Sequence, residues 1–313
     1  MIAGGEYRMG FLNFGKKSNA AQPDADLEDL TVPQATLLRT LFAEKWPTTA
    51  GAITVHGDYA EGDSGAQYGL YNLARAVKLE PESNWPEAVE RHISGLLSRQ
   101  AAPRDEDLSD DQVLSLVKAR LIPSSYLPES HRAAYTYRRT IVSGLEAILM
   151  LDHPETTTAV PDAIVGRFDA GQLWATALAA VSAEPIEEVH TVDVGNGAFR
   201  AIVSDSMFTA SRVLDFPALL AAAGISSAPH GVLFAVPSRH HVAFHVITGP
   251  EAIYVVQDMH GFAQQMFGQG AGEIATDVFY WSDSGYEQVT SSDESGRVSV
   301  DGTGAFFASI NGF

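Results

Sequence analysis

The sequence predicts an α+β fold, a helical N-terminal part followed by antiparallel hairpins packed with helices. Three observations carry this expectation. Apolar residues recur at helical spacing through the first half, where strand patterns are few. The second half holds three hairpin signatures mixed with helices rather than a regular β-α-β alternation. Hydrophobic residues make up 45% of the 313 and charged residues 19%, a balance that supports a packed core and argues against a disordered chain.

The elements follow in order. Residues 1–25 are rich in Gly, Asn, Lys and Ala and read as a flexible tail, within which Met9 is an alternative start. Residues 26–130 read as a mainly helical region. Leu30, Leu37, Leu38, Leu41 and Phe42 place a helix over 27–46. Ile53–Tyr59 reads as a strand, ended by Glu61-Gly62-Asp63-Ser64-Gly65. Asn84-Trp85-Pro86-Glu87 is a helix start, with a capping Asn and a Pro in the first turn. That helix runs to about Leu97, and the charged segment Gln100–Asp111 reads as a loop. Val113–Leu121 is readable as helix or strand.

Residues 131–313 read as an α+β domain. Val142–Leu151 is nearly all apolar and predicts a strand, stopped by Asp152-His153-Pro154. Asp169 to Val181 is the clearest helix, with Asp169 as cap, Gln172 three residues on, and Leu173, Trp174, Ala177, Leu178 and Val181 on one face. The Gly195-Asn196-Gly197 turn joins His190–Val194 to Ala198–Val203. A short helix spans Phe216–Ala223. Gly231–Val236 and His241–Ile247 form a second hairpin about Pro237-Ser238-Arg239. Pro250–Phe267 reads as a helix, and Val278–Trp281 with Tyr286–Val289 as a third hairpin.

Several of these segments together resemble the YtpQ-like family of bacterial proteins. The matching pieces are Ile148 to Pro154, Phe168 to Trp174 with Ala177 and Leu178, then Ser211, Val213 and Leu214, and finally His230 to Arg239. The similarity covers roughly residues 140–290. Ala177 to Val181 lacks the family's usual Asn-Leu, and His240 stands where an acidic residue is common. The family implies no established activity, so the resemblance assigns no catalytic residue.

Composition removes several function classes. The chain has no cysteine, which excludes disulfides, thiolate zinc sites and cysteine nucleophiles and fits a cytoplasmic location. No run of 18 apolar residues occurs, so no membrane span is expected, and no signal peptide is visible at the start. The net charge is -19. Residues 1–150 hold 15 Lys/Arg against 20 Asp/Glu, whereas residues 151–313 hold 5 Arg, no Lys and 19 Asp/Glu. The second half therefore repels phosphate backbones, and no nucleic-acid partner is expected. The one basic candidate, Arg132, Arg138 and Arg139 with Tyr135 and Tyr137, reads as a solvated helix face.

Five of the ten histidines fall between His230 and His260. On a helix, His241 and His245 would share a metal. The flanking pattern is strand, which sets them about 13 Å apart. His241, Ala243 and His245 then line one face, opposite an apolar core face of Val242, Phe244 and Val246. The first pair meets solvent, a groove or another chain. Neither a metal nor a cofactor is assigned. No G-x-S-x-G elbow exists for a serine hydrolase, and Ser204-Asp205-Ser206 reads as a turn. Gly268 to Gly272 follows a helix and reads as a helix stop rather than a phosphate cradle.

Two readings of function emerge. The first is a non-catalytic protein-binding or regulatory module acting on a protein partner or as a homo-oligomer. The alternative is a small-molecule or metal-dependent enzyme with its site among His230, Arg239, His241, His245, Asp258 and His260. It expects at least two of those histidines with a carboxylate in one concave pocket.

Overall fold

The computed structural model describes residues 22–313 except 64, 102, 155, 187, 195–196, 269–271 and 293–297. Most of the expected tail with Met9, the tip of the Gly195-Asn196-Gly197 turn and the middle of the Gly268–Gly272 run lie outside the described residues. The chain divides into two compact units, Met1–Val89 and Glu90–Phe313.

In the smaller unit, α1 (Val32–Lys45) starts five residues later than the apolar spacing predicts. The reason is local. Pro33 suits the first helical turn, and Gln34 Oε1 accepts from the Thr31 backbone N–H at 3.1 Å. Ahead of it, Asp24 is no part of a loose tail. Its carboxylate accepts from the backbone of Asp26 and Leu27 and pairs with Arg39 at 2.6 Å. The segment Ile53–Tyr59 is two strands, not one. β1 (Ile53–Val55), β2 (Tyr59–Gly62) and β3 (Gln67–Gly69) form a three-stranded antiparallel sheet. It is followed by α2 (Tyr71–Lys78) and by the start of α3 (Trp85–Ala101), which begins where its start signal lies and runs on past Val89 into the larger unit.

In the larger unit, α4 (Asp110–Leu116) opens on a capping box. Ser109 Oγ accepts from Gln112 N at 3.3 Å, and Gln112 Oε1 accepts from Ser109 N at 2.9 Å. The helix runs without a loop into β4 (Val117–Pro123), so the ambiguous window Val113–Leu121 is helix and strand in succession. Then follow α5 (Glu129–Arg132), β5 (Arg139–Val142), β6 (Leu145–Asp152) and β7 (Thr157–Ala159), with α6 (Asp162–Val165) and α7 (Ala170–Ser182) after them. β6 is central. β4 pairs along it from Val117↔Leu151 to Pro123↔Leu145, while β5 and β7 share its other edge. This pairing ties residues 117–123 to the larger unit, although the sequence reading set a boundary at 130. The predicted cap of α7 is in place, with Asp169 accepting from Gln172 N at 2.8 Å.

The second sheet has six strands. β8 (Val189–Val194), β9 (Gly197–Val203), β10 (Val232–Ala235), β11 (His241–Val246), β12 (Val278–Ser282) and β13 (Gly285–Gln288) run antiparallel in the order β13-β12-β10-β11-β9-β8. α8 (Phe216–Ala222) packs on one face through Phe216, Leu219 and Leu220, against Phe234, Val242, Phe244 and Phe279. α9 (Ala252–Met266) covers the other face with Val255, Val256, Met259 and Ala263. β14 (Thr290–Ser292) and β15 (Val298–Val300) pair as a hairpin, and α10 (Ala305–Ile310) brings Phe306 and Ile310 into the α9 layer. Helices and antiparallel sheets are mixed throughout, which is an α+β architecture. Among the described residues, no helix is long and apolar enough to cross a membrane.

Candidate functional site

The histidine-rich strand is not an open face. Val242 and Phe244 pack into the α8 layer, and Ala243 packs into the α9 layer. The small Ala243, between the two histidines, is therefore buried in the layer that α9 covers, while the histidines keep part of their surface exposed. His241 and His245 are half-buried and locally bonded. His241 Nδ1 lies 2.7 Å from Ser238 Oγ, and His245 Nδ1 lies 2.7 Å from the Ala198 carbonyl. Burial pushes both pKa values down, which favours neutral rings.

The sheet register separates the other members of the set. His230 precedes β10, its ring 4.2 Å from that of Phe313, at the end of the hairpin where Val232 meets Val246. Arg239 and His241 sit at the opposite end, by the turn. Arg239 donates to His240 Nε2 at 2.8 Å, and its alkyl chain lies against Gly272, where a Cβ would come within 2.5 Å. Asp258 and His260 are two residues apart on α9, hence about 200° apart around the helix. His260 is buried, and neither of its ring nitrogens has a hydrogen-bond partner. Among the described residues, no three of His, Asp and Glu gather as metal ligands. None of the six lines either of the two cavities described below.

The polar site with the richest chemistry lies elsewhere in the larger unit, on β4. Its alternation points Val117, Ala119 and Leu121 to one side of the sheet and Lys118, Arg120 and Ile122 to the other. Lys118 Nζ donates to Asp152 Oδ2 at 2.7 Å, at the end of β6, and to Glu184 Oε1 at 2.6 Å, beyond α7. Its ammonium also stands 5.0 Å from the Phe208 ring centre. Burial works against the charged lysine, but the bonds to Asp152 and Glu184 outweigh it and raise the pKa. Ser206 donates to Glu184 Oε2 at 2.6 Å, and its oxygen accepts from Phe208 N at 3.1 Å. The turn reading of Ser206 therefore holds, with a side-chain bond the sequence did not show.

The partners of Lys118, though not Lys118 itself, line a cavity of about 250 Å³, with Asp152, His153, Glu184, Ser206, Met207 and Phe208 among its walls. His153 is held from behind, its Nε2 2.9 Å from Asp105 Oδ1. Asp105 also accepts from Thr158 Oγ1 at 2.6 Å and pairs with Arg99 at 2.7 Å. A second cavity, of about 360 Å³, includes Ser124, Ser143, Leu145, Asp277 and Gln288 in its walls. Sequence reading missed the Lys118 site. The available signal was a lysine, the last of the chain, and an arginine inside a mostly apolar strand.

The basic trio singled out in the sequence is not a solvated helix face. Arg132 lies on α5, Arg138 in the following turn, and Arg139 on β5, stacked over Trp174 at 4.1 Å. No protein-family model, no curated protein and no solved structure matches the chain.

Proposed function

We propose that the chain is a non-catalytic protein-binding module whose Lys118 cavity receives a basic side chain of a partner protein. The observation that carries this reading is Lys118 held as an ammonium between Asp152 and Glu184, both of which line an open cavity. A protonated lysine cannot act as a base toward Ser206, and Ser206 already gives its hydroxyl hydrogen to Glu184. Two carboxylates against one ammonium leave one negative charge for a visiting cation, while Met207 and Phe208 suit an alkyl stem. The volume is below the roughly 300–1,000 Å³ typical of small-molecule pockets and fits a single side chain. The acidic second half attracts a basic partner and opposes pairing with a second copy.

The same reading places the chain in the bacterial cytoplasm, supported by the lack of cysteine and by the resemblance to the YtpQ-like family. Fluorescence anisotropy with short Lys- and Arg-containing peptides tests it. The expected result is saturable binding that weakens with salt and is about tenfold weaker for Glu184→Gln, a loss of about 1.4 kcal/mol. Equal binding by that variant, or no saturable binding at low salt, would overturn the proposal.

A further inference from the structure

Arg120 is the buried cation that this reading leaves unused. Only 5% of its surface is exposed. Nη1 lies 3.5 Å from the Tyr126 hydroxyl, and the guanidinium stands 5.1 Å from the Tyr126 ring centre. Nε is buried and, among the described residues, has no hydrogen-bond partner. Among the described residues, Arg120 forms no salt bridge. Burying an unpaired charge is costly, and an arginine so placed implies a counter-ion.

The nearest carboxylate by register is already engaged. Arg120 pairs with Ile148 on β6, and Glu146 lies two residues along that strand, opposite Ile122. Glu146 is itself buried. Its Oε1 meets Arg132 Nη2 at 2.5 Å, and its Oε2 faces Arg138 Nε at 3.3 Å. That second approach is not a hydrogen bond, since both atoms lack a partner. Two guanidiniums, of Arg132 and Arg138, thus flank this one buried carboxylate, and Arg120 stands one register pair away on the same face of the sheet. Glu129, 3.7 Å from Arg132, is 96% exposed, and solvent screens it. The result is a local excess of two positive charges in a chain of net charge -19. Tyr126, the side chain Arg120 touches, is exposed, so the guanidinium lies one side chain below solvent.

We propose that Arg120, together with Arg132 and Arg138, forms a binding site for a small dianionic oxyanion, a phosphate group. A dianion balances the excess charge, and guanidinium forks match the oxygens of phosphate. The site stands independently of the Lys118 cavity reading. Inorganic phosphate and glycerol phosphate distinguish a free anion from a phosphorylated metabolite, with chloride at equal ionic strength as control.

The experiment is isothermal titration and thermal unfolding of the full chain with each anion, for the parent, Arg120→Met and Arg138→Gln. Saturable stabilisation by phosphate, absent in Arg120→Met and at least fivefold weaker in Arg138→Gln, is the expected result. Tighter binding of glycerol phosphate assigns the site to an organic phosphate, and equal binding assigns it to the free ion. The proposal fails if phosphate does not stabilise the parent beyond chloride, or if it binds the parent and Arg138→Gln equally. The Arg138 variant keeps the test decisive should Arg120→Met not fold.

Discussion

Lys118 and Arg120 stand two residues apart on the same face of β4, and their surroundings could hardly differ more. Lys118 meets two carboxylates within 2.7 Å. Arg120, more deeply buried, forms no ion pair among the described residues, and its guanidinium is placed against the Tyr126 ring and hydroxyl. A strand delivers side chains to one face at a spacing near 7 Å, so backbone geometry treats the two alike. What separates them is what the rest of the chain brings. Asp152 and Glu184 arrive from 34 and 66 residues away, while Glu146 is diverted to Arg132. A cation with its counter-charges built in is complete and offers its surroundings for recognition. A cation without them is where the proposed anion would bind.

Breaking the Lys118 side of this contrast has the largest expected effect. Lys118→Met leaves two carboxylates facing each other without their cation. Loss of one partner of a buried pair costs roughly 3–5 kcal/mol, and partial exposure here brings the expectation to about 3 kcal/mol. Urea unfolding measures it, and adding Glu184→Gln to the variant is expected to restore part of the loss. A change under about 1 kcal/mol would show that the pairing contributes little.

Arg120→Met sharpens the other side. In buffer free of multivalent anions it is expected to shift stability by no more than about 1 kcal/mol, in either direction, because an apolar replacement for an unpaired buried charge is often neutral or favourable. A loss as large as that of Lys118→Met would mean that Arg120 is held by the fold itself.

The smaller unit offers a third paired charge and a gentler test. Arg39, together with two backbone N–H groups, holds the Asp24 carboxyl at about 2 despite burial. A folded pKa below the unfolded one stabilises the fold above the unfolded value. That contribution declines as pH falls from about 4 through about 2. An NMR titration of the Asp24 carboxyl in the full chain should find its midpoint near 2, and an ordinary carboxylate midpoint would remove the pairing from the account.

Much of the fold was legible because its signals are local. The Asp169 and Gln172 cap, the strand ending at Asp152 and the three hairpins of the second half all depend on residues a few positions apart. The same locality explains the failures. Ile53–Tyr59 gave no sign of the turn at Gly57 and Asp58 that splits it. His241 and His245 alternate as an exposed strand face would, yet their ring partners, Ser238 and the Ala198 carbonyl, come from a turn and from a neighbouring strand. Lys118 and Arg120 were visible as charges in an apolar strand, but their partners, or the want of them, are settled by contacts across the unit.

The direct passage from α4 into β4 has a final consequence. With no loop between them, the distance from the Ser109 cap to Arg120 is counted in residues and cannot be absorbed by slack. One residue added or removed between Gln112 and Lys118 would turn both cations toward Leu149, Leu173 and Trp174 and present Ala119 and Leu121 to the polar side. This stretch acts as a ruler. Divergent versions of the chain should keep the count from Ser109 to Pro123 unchanged.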